Sequence, residues 1–219
     1  MPGRDGSRRG RSAPCAQPED GCQARVRTQA ALLLAPGASA DRSQPALVAI
    51  DGALASYGIP VERMDFPYKR AGRRAPDRPP VLILAVREAA AGLVSRAGVS
   101  PDRLVLGGRS MGGRICSMAV GEGLPALALV LVSYPLHPPG RPDRLRVEHF
   151  PQLLPPCLFV SGTRDAFATP EELHAATAVI PGPVTHAWID GGDHGLGKRD
   201  LEVAEVVRRW VLELVAIGA

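Results

Sequence analysis

Ser110 stands at the centre of Gly108-Arg109-Ser110-Met111-Gly112, a G-x-S-x-G pentad within the run Gly107-Gly108-Arg109-Ser110-Met111-Gly112-Gly113. A serine at the apex of a tight strand-to-helix turn presents its hydroxyl as a nucleophile toward a carbonyl carbon. Glycines two residues to either side admit such a turn, because side chains there would collide. Five-residue patterns also arise by chance, so the chemistry depends on the serine's partners. The plain alternative is a glycine-rich turn whose serine only caps the following helix.

A serine hydroxyl is a weak nucleophile at neutral pH. It needs a base, and the base needs a third group to fix its tautomer. The chain has five histidines. His174 falls inside an expected helix, His186 inside an expected strand, and His149 in an irregular connection. His194 follows the last expected strand, in Gly191-Gly192-Asp193-His194-Gly195, and is preferred as base. His137, after the strand that ends at Ser133, is the rival. For the acid, Asp165 directly follows the expected strand 157–161, while Asp190 and Asp193 are rivals near His194. Asp193 is the chain neighbour of His194, and adjacent side chains in an extended loop diverge. Ser110, Asp165 and His194 are therefore the candidate nucleophile, orienter and base.

The oxyanion formed by attack needs two hydrogen-bond donors. One is the backbone N–H of Met111, the residue after the nucleophile. The other is expected from Ala35-Pro36-Gly37-Ala38-Ser39, after the first core strand. Pro36 has no N–H, so Gly37 or Ala38 must supply it, and Ala38 is preferred. Gly37 and Arg109 are candidate substrate contacts. The basic run of Lys69, Arg70, Arg73, Arg74 and Arg78 is a further candidate for an acidic substrate group, with ordinary surface pairing as the alternative. This chemistry calls for no cofactor and no metal.

These residues must be positioned by the elements between them. Residues 30–35 form an unbroken apolar run that reads as a buried strand. A helix over 43–57 turns Leu47, Ile50, Leu54 and Tyr57 to one face and stops at Gly58. A strand over 61–66, a loop over 67–80 and a helix over 81–97 follow. Residues 103–106 are the strand leading into the pentad, and 111–120 the helix leaving it. Strands are expected at 126–133, 157–161 and 184–189. Thr169-Pro170-Glu171-Glu172 carries a helix-start signature, with Thr169 as cap, proline in the first turn and Glu172 closing a capping box. Residues 200–217 form an amphipathic helix with Val203, Val206, Val207, Trp210, Leu214 and Val215 on its core face. The alternation predicts an α/β fold, a mostly parallel central sheet with helices on both faces. In such sheets the site lies at the carboxyl ends of the strands. Ser110, Asp165 and His194 each follow one.

The chain's 219 residues suffice for one α/β domain, expected over residues 23–219. Residues 1–22, rich in Gly, Ser, Pro and Arg, are expected to be a disordered basic tail. Arg4, Arg8, Arg9 and Arg11 against Asp5 account for three of the four net positive charges. The rest is nearly neutral, and no nucleic-acid partner is expected. No apolar run approaches the ~20 residues of a membrane span, so no membrane partner is expected either. Cys15, Cys22, Cys116 and Cys157 show neither metal-site nor disulfide spacing, which suits free thiols in the cytoplasm. Residues 25–40 mimic an export signal ending in Ala38-Ser39-Ala40. Their apolar core is shorter than the ~7–15 residues such a signal needs, and cleavage would remove a strand.

The stretches Leu33-Leu34-Ala35-Pro36-Gly37-Ala38, Phe66-Pro67-Tyr68, Gly72-Arg73-Arg74, Gly107 through Arg114, and Gly191-Gly192-Asp193-His194 together resemble a family of small, lidless α/β-hydrolases. It is the family similar to testis-expressed protein thirty and to the hydrolase-like domain of subunit three of the non-specific-lethal complex, near the dienelactone-hydrolase-like enzymes. The resemblance covers residues from about 25 to the end. It implies an α/β-hydrolase fold with the triad on Ser110, Asp165 and His194, the chain order of that fold. One departure is visible: the family opens its oxyanion loop with His-Gly, and this chain has Pro36-Gly37.

The expected function is a carboxylesterase-like serine hydrolase. It would cleave an ester, thioester or amide of a small-molecule acyl substrate through an acyl-enzyme on Ser110. The short connection 134–155 predicts an open site without a sizeable lid. The alternative is a non-catalytic protein-interaction module on the same fold.

Overall fold

The computed structural model describes residues 30–217 and Gly3. The expected tail over 1–22, the domain start at 23, and Cys15 and Cys22 lie outside the described residues. Six strands form one sheet in the order β2-β1-β3-β4-β5-β6, every pairing parallel. They are β1 (Ala31–Ala35), β2 (Val61–Arg63), β3 (Leu104–Arg109), β4 (Ala128–Val132), β5 (Cys157–Gly162) and β6 (Val184–Ile189). The helices are α1 (Pro45–Ala55), α2 (Pro67–Arg70), α3 (Pro79–Ala97), α4 (Met111–Gly121), α5 (Pro170–Thr177) and α6 (Asp200–Ile217).

Parallel strands joined through helices need cover on both faces, so their side chains are apolar on both sides. In β1, Ala31, Leu33 and Ala35 point to one face, packed with α3, α4 and α5. Leu32 and Leu34 point to the other, packed with α1 and α6. The β4 residues divide the same way, Leu129 and Leu131 against Ala128, Val130 and Val132. Thr169 and Glu172 form the expected reciprocal capping box at the start of α5.

Four element expectations are corrected. Helix α1 ends at Ala55, so Tyr57 lies beyond it and is exposed instead of on its apolar face. Strand β2 ends at Arg63 rather than at residue 66, and the expected loop 67–80 begins with the short helix α2. Pro67 has the backbone angle that starts a helix. Burial of Phe66 and Tyr68, whose rings stack at 6.3 Å, fixes that turn. On α6 the buried seam is Val203, Ala204, Val207 and Val211, while Val206, Trp210, Leu214 and Val215 are only partly buried beside it. The seam lies one step round the helix because α6 packs against α1 as well as the sheet. Between β4 and β5 the chain makes one short 3-10 turn, Phe150–Gln152, and no lid domain. None of the described helices is long and apolar enough to cross a membrane.

Candidate active site

Strand β3 hands the chain to α4 through Ser110 alone, whose backbone sits at φ 50°, ψ −118°. That region is costly for any residue with a side chain. Two backbone bonds hold it there: Ser110 N–H donates to Val132 O at 2.8 Å, and Arg114 N–H donates to Ser110 O at 3.1 Å. The flanking glycines are required by a single atom. A Cβ on Gly108 or on Gly112 would lie 2.1 Å from the carbonyl oxygen of Ala35. The end of β1 thus runs directly against the turn, bringing residues 36–38 to the nucleophile.

The other candidates arrive from the next strand ends. Asp165 follows β5, and its side chain is fully buried. His194 follows β6. Its Nε2 lies 2.8 Å from Ser110 Oγ, and its Nδ1 lies 3.0 and 2.9 Å from the two oxygens of Asp165. The structure therefore joins Ser110, His194 and Asp165 in one hydrogen-bonded line. The rivals are elsewhere. His137 Nε2 faces Glu172 at 3.2 Å, Asp190 accepts from Thr163 Oγ1 at 3.3 Å, and Asp193 makes no bond to His194.

A cavity of about 410 Å³ opens onto this line, within the range for small-ligand sites. Gly37, Ala38, Arg109, Met111 and Phe167 contribute to its wall. Gly37 N–H donates to the buried Gln44 Oε1 at 3.0 Å, which leaves Ala38 as the free one of the two candidate donors. Among the described residues, neither Ala38 N–H nor Met111 N–H donates to a protein acceptor. Tyr68 Oη donates to Ala38 O at 2.7 Å and anchors the next peptide of the loop, Ala38–Ser39. Met111 also opens α4, whose N-terminal end carries partial positive charge.

Arg109 reaches back to the loop: its guanidinium donates to His194 O at 2.6 Å. Burial lowers its pKa, while Asp200, Asp165 and Asp193 oppose that shift. The basic run 69–78 does not line the cavity. Lys69 Nζ donates to Ser39 O at 3.1 Å, and Arg73 pairs with Asp77 at 2.8 Å. A larger groove of about 640 Å³ lies along β2, but its charged lining is paired, Arg63 with Asp51 and Arg96 with Glu62.

Sequence reasoning missed Phe167 and Gln44. Phe167 stacks on the His194 ring with centroids 3.9 Å apart, and its N–H donates to Asp165 Oδ1 at 2.8 Å. Only its place two residues after Asp165 signalled a role. Gln44 lies just before α1, where a side chain is aimed back at the preceding loop. Cys116, on α4, is not a competing nucleophile: burial pushes its thiol up to about 12.

Solved structures of similar fold include an alpha-beta serine hydrolase homologue from Coxiella burnetii. It is 17% identical over 84% of this chain and 86% of that one, with a TM-score of 0.69. A dienelactone hydrolase from Anabaena variabilis is 18% identical over 85% and 87%, TM-score 0.66. The esterase domain of a Rhodothermus marinus protein is 20% identical over 88% and 90%, TM-score 0.65. At these identities the likeness is one of fold. The model of the alpha/beta hydrolase domain matches residues 28–211, nearly the whole described region, and the chain belongs to that family.

Proposed function

We propose that the protein is a serine hydrolase that cleaves an ester, thioester or amide through an acyl-enzyme on Ser110. The observation that carries this is the line from Ser110 Oγ through His194 to the buried Asp165. His194 Nε2 takes the hydroxyl proton as Oγ bonds to the substrate carbonyl carbon. Asp165, accepting from Nδ1–H, fixes the tautomer and stabilises the imidazolium. The N–H groups of Ala38 and Met111 receive the oxyanion. Collapse breaks the bond to the leaving group, which departs with the proton from His194. Water, deprotonated by His194, then attacks the acyl carbon, releasing the acid and restoring Ser110.

The resemblance to the small lidless family of testis-expressed protein thirty belongs to the same proposal, with a carboxylesterase-like preference for small acyl substrates. A cytoplasmic location is part of it too, supported by the free, buried Cys116 and Cys157. The test is labelling with a fluorophosphonate probe. Wild type is expected to be modified at Ser110 and to turn over short p-nitrophenyl esters, and Ser110→Ala to do neither. A folded wild type that is unlabelled and inactive while binding a stable protein partner would favour a non-catalytic module.

A further inference from the structure

Three arginines, Arg109, Arg114 and Arg146, line the cavity that holds Ser110, and among the described residues no aspartate or glutamate does. Arg109 is accounted for by its bond to His194 O and by Asp165, Asp193 and Asp200 around it. The other two are not. Among the described residues, Arg114 makes no ion pair, and its Nε is buried without a hydrogen-bond partner. Arg146 has one long contact, from Nη1 to Pro135 O at 3.4 Å.

The charged neighbours make this pair more positive, not less. Burial and the Arg114 guanidinium both lower the pKa of Arg146, opposed only by Tyr134. Arg114 also acts on His149, which burial first and Arg114 second push down to about 4, so that imidazole is neutral at pH 7. Glu148 is exposed and acts on His149 and Tyr134, and no carboxylate acts on Arg146 among the described residues. Guanidinium groups keep their charge in proteins. Two of them held together in a partly desolvated wall without a counter-ion raise the free energy of the empty cavity. An anion entering between them relieves it, and the guanidinium fork suits carboxylate and phosphate oxygens.

We propose that the substrate carries a carboxylate or phosphate group, held by Arg114 and Arg146 beside the carbonyl that Ser110 attacks. This rests on the serine-hydrolase reading and deepens it. Arg114 lies one turn into α4, its N–H bonded to Ser110 O, so the two side chains start about 6 Å apart. A short acidic acyl chain, such as that of a dicarboxylic acid monoester, spans such a distance.

The kinetic test compares the p-nitrophenyl monoester of succinate with p-nitrophenyl butyrate, which matches it in length and lacks the charge. Wild type is expected to favour the charged ester at least 10-fold in kcat/KM, with the preference falling as salt rises. Arg114→Met and Arg146→Met should each reduce the preference about 10-fold, and Arg→Lys at either position should restore part of it. Turnover of butyrate with no preference for the charged ester overturns the proposal while leaving the hydrolase reading intact. A binding test needs no catalysis. Succinate and inorganic phosphate are titrated separately against Ser110→Ala, following the melting temperature. A rise with either anion that is lost on adding Arg114→Met supports the proposal and identifies the preferred oxyanion. No rise with either, or a rise that survives Arg114→Met, overturns it.

Discussion

The ring of Phe167 lies against the imidazole of His194, centroids 3.9 Å and planes 26° apart, while the N–H of Phe167 donates to the carboxylate that faces that imidazole. One residue thus restrains both members of the His194–Asp165 pair. Phe167→Ala keeps the N–H and removes the ring, leaving the imidazole free to rock. Displacement of a reacting group by about 1 Å costs on the order of 100-fold in rate. We expect kcat for a short ester to fall about 10- to 100-fold, with the melting temperature little changed. An unaltered kcat would show that the Asp165 bond alone orients the ring.

Ser110 holds a positive φ that its side chain resists. Replacing it with glycine should relieve strain that alanine retains. Ser110→Gly is expected to be more stable than Ser110→Ala by about 1 kcal/mol, read from urea melts, with both unreactive to fluorophosphonate. The reverse order would mean that the turn is unstrained at this residue.

Gln44 stands in for whatever else could hold the Gly37 amide. Gln44→Leu keeps the bulk and removes the acceptor. A buried N–H without a partner costs about 1–3 kcal/mol, so the melting temperature should drop and kcat with it, as the Ala38 N–H loses its fixed direction. Gln44→Glu, which still accepts, should recover most of the loss. Equal behaviour of the two variants would count against this role.

The neutral state of His149 sets an acid limit on stability. Its folded pKa is about 4, from burial and then Arg114, against an ordinary 6.5. Between these values the unfolded chain binds a proton that the folded chain does not. Stability from this residue is therefore intact above pH 6.5 and declines as pH falls toward 4. The loss is on the order of 2 kcal/mol, discounted for solvent screening because the residue is only partly buried. Denaturant melts between pH 7 and 4 should show a shallower decline in His149→Gln than in wild type.

What the sequence made legible follows from periodicity and punctuation. The buried strands announce themselves as apolar runs, and the strand-end rule narrows the acids and imidazoles to a few, among which chain order and loop position favour Asp165 and His194 over Asp190 and His137. The Thr169–Glu172 box is visible because its spacing is local. The less legible parts depend on contacts distant in sequence or on irregular backbone. Phe167 and Arg146 lie in segments without a repeating pattern. The reach of Gln44 back to Gly37 depends on how α1 docks, and the α6 seam on a second neighbour. Arg114 was within reach, since four residues after Ser110 on a helix is the same face. Its lack of a partner was not, because that is a property of everything around it.

The His194 loop hangs from β6, which is an edge strand bonded to β5 alone and, apart from Ile189, not fully buried. Ser110 and Arg109, by contrast, end a strand in the middle of the sheet. Edges open at lower free energy than centres, so on warming the imidazole departs before the core melts. The bond from Arg109 to the His194 carbonyl is the tether that delays this departure. Heat should therefore dislodge the His194 loop ahead of global unfolding and let it return on cooling, an intrinsic thermal fuse located in one marginal strand.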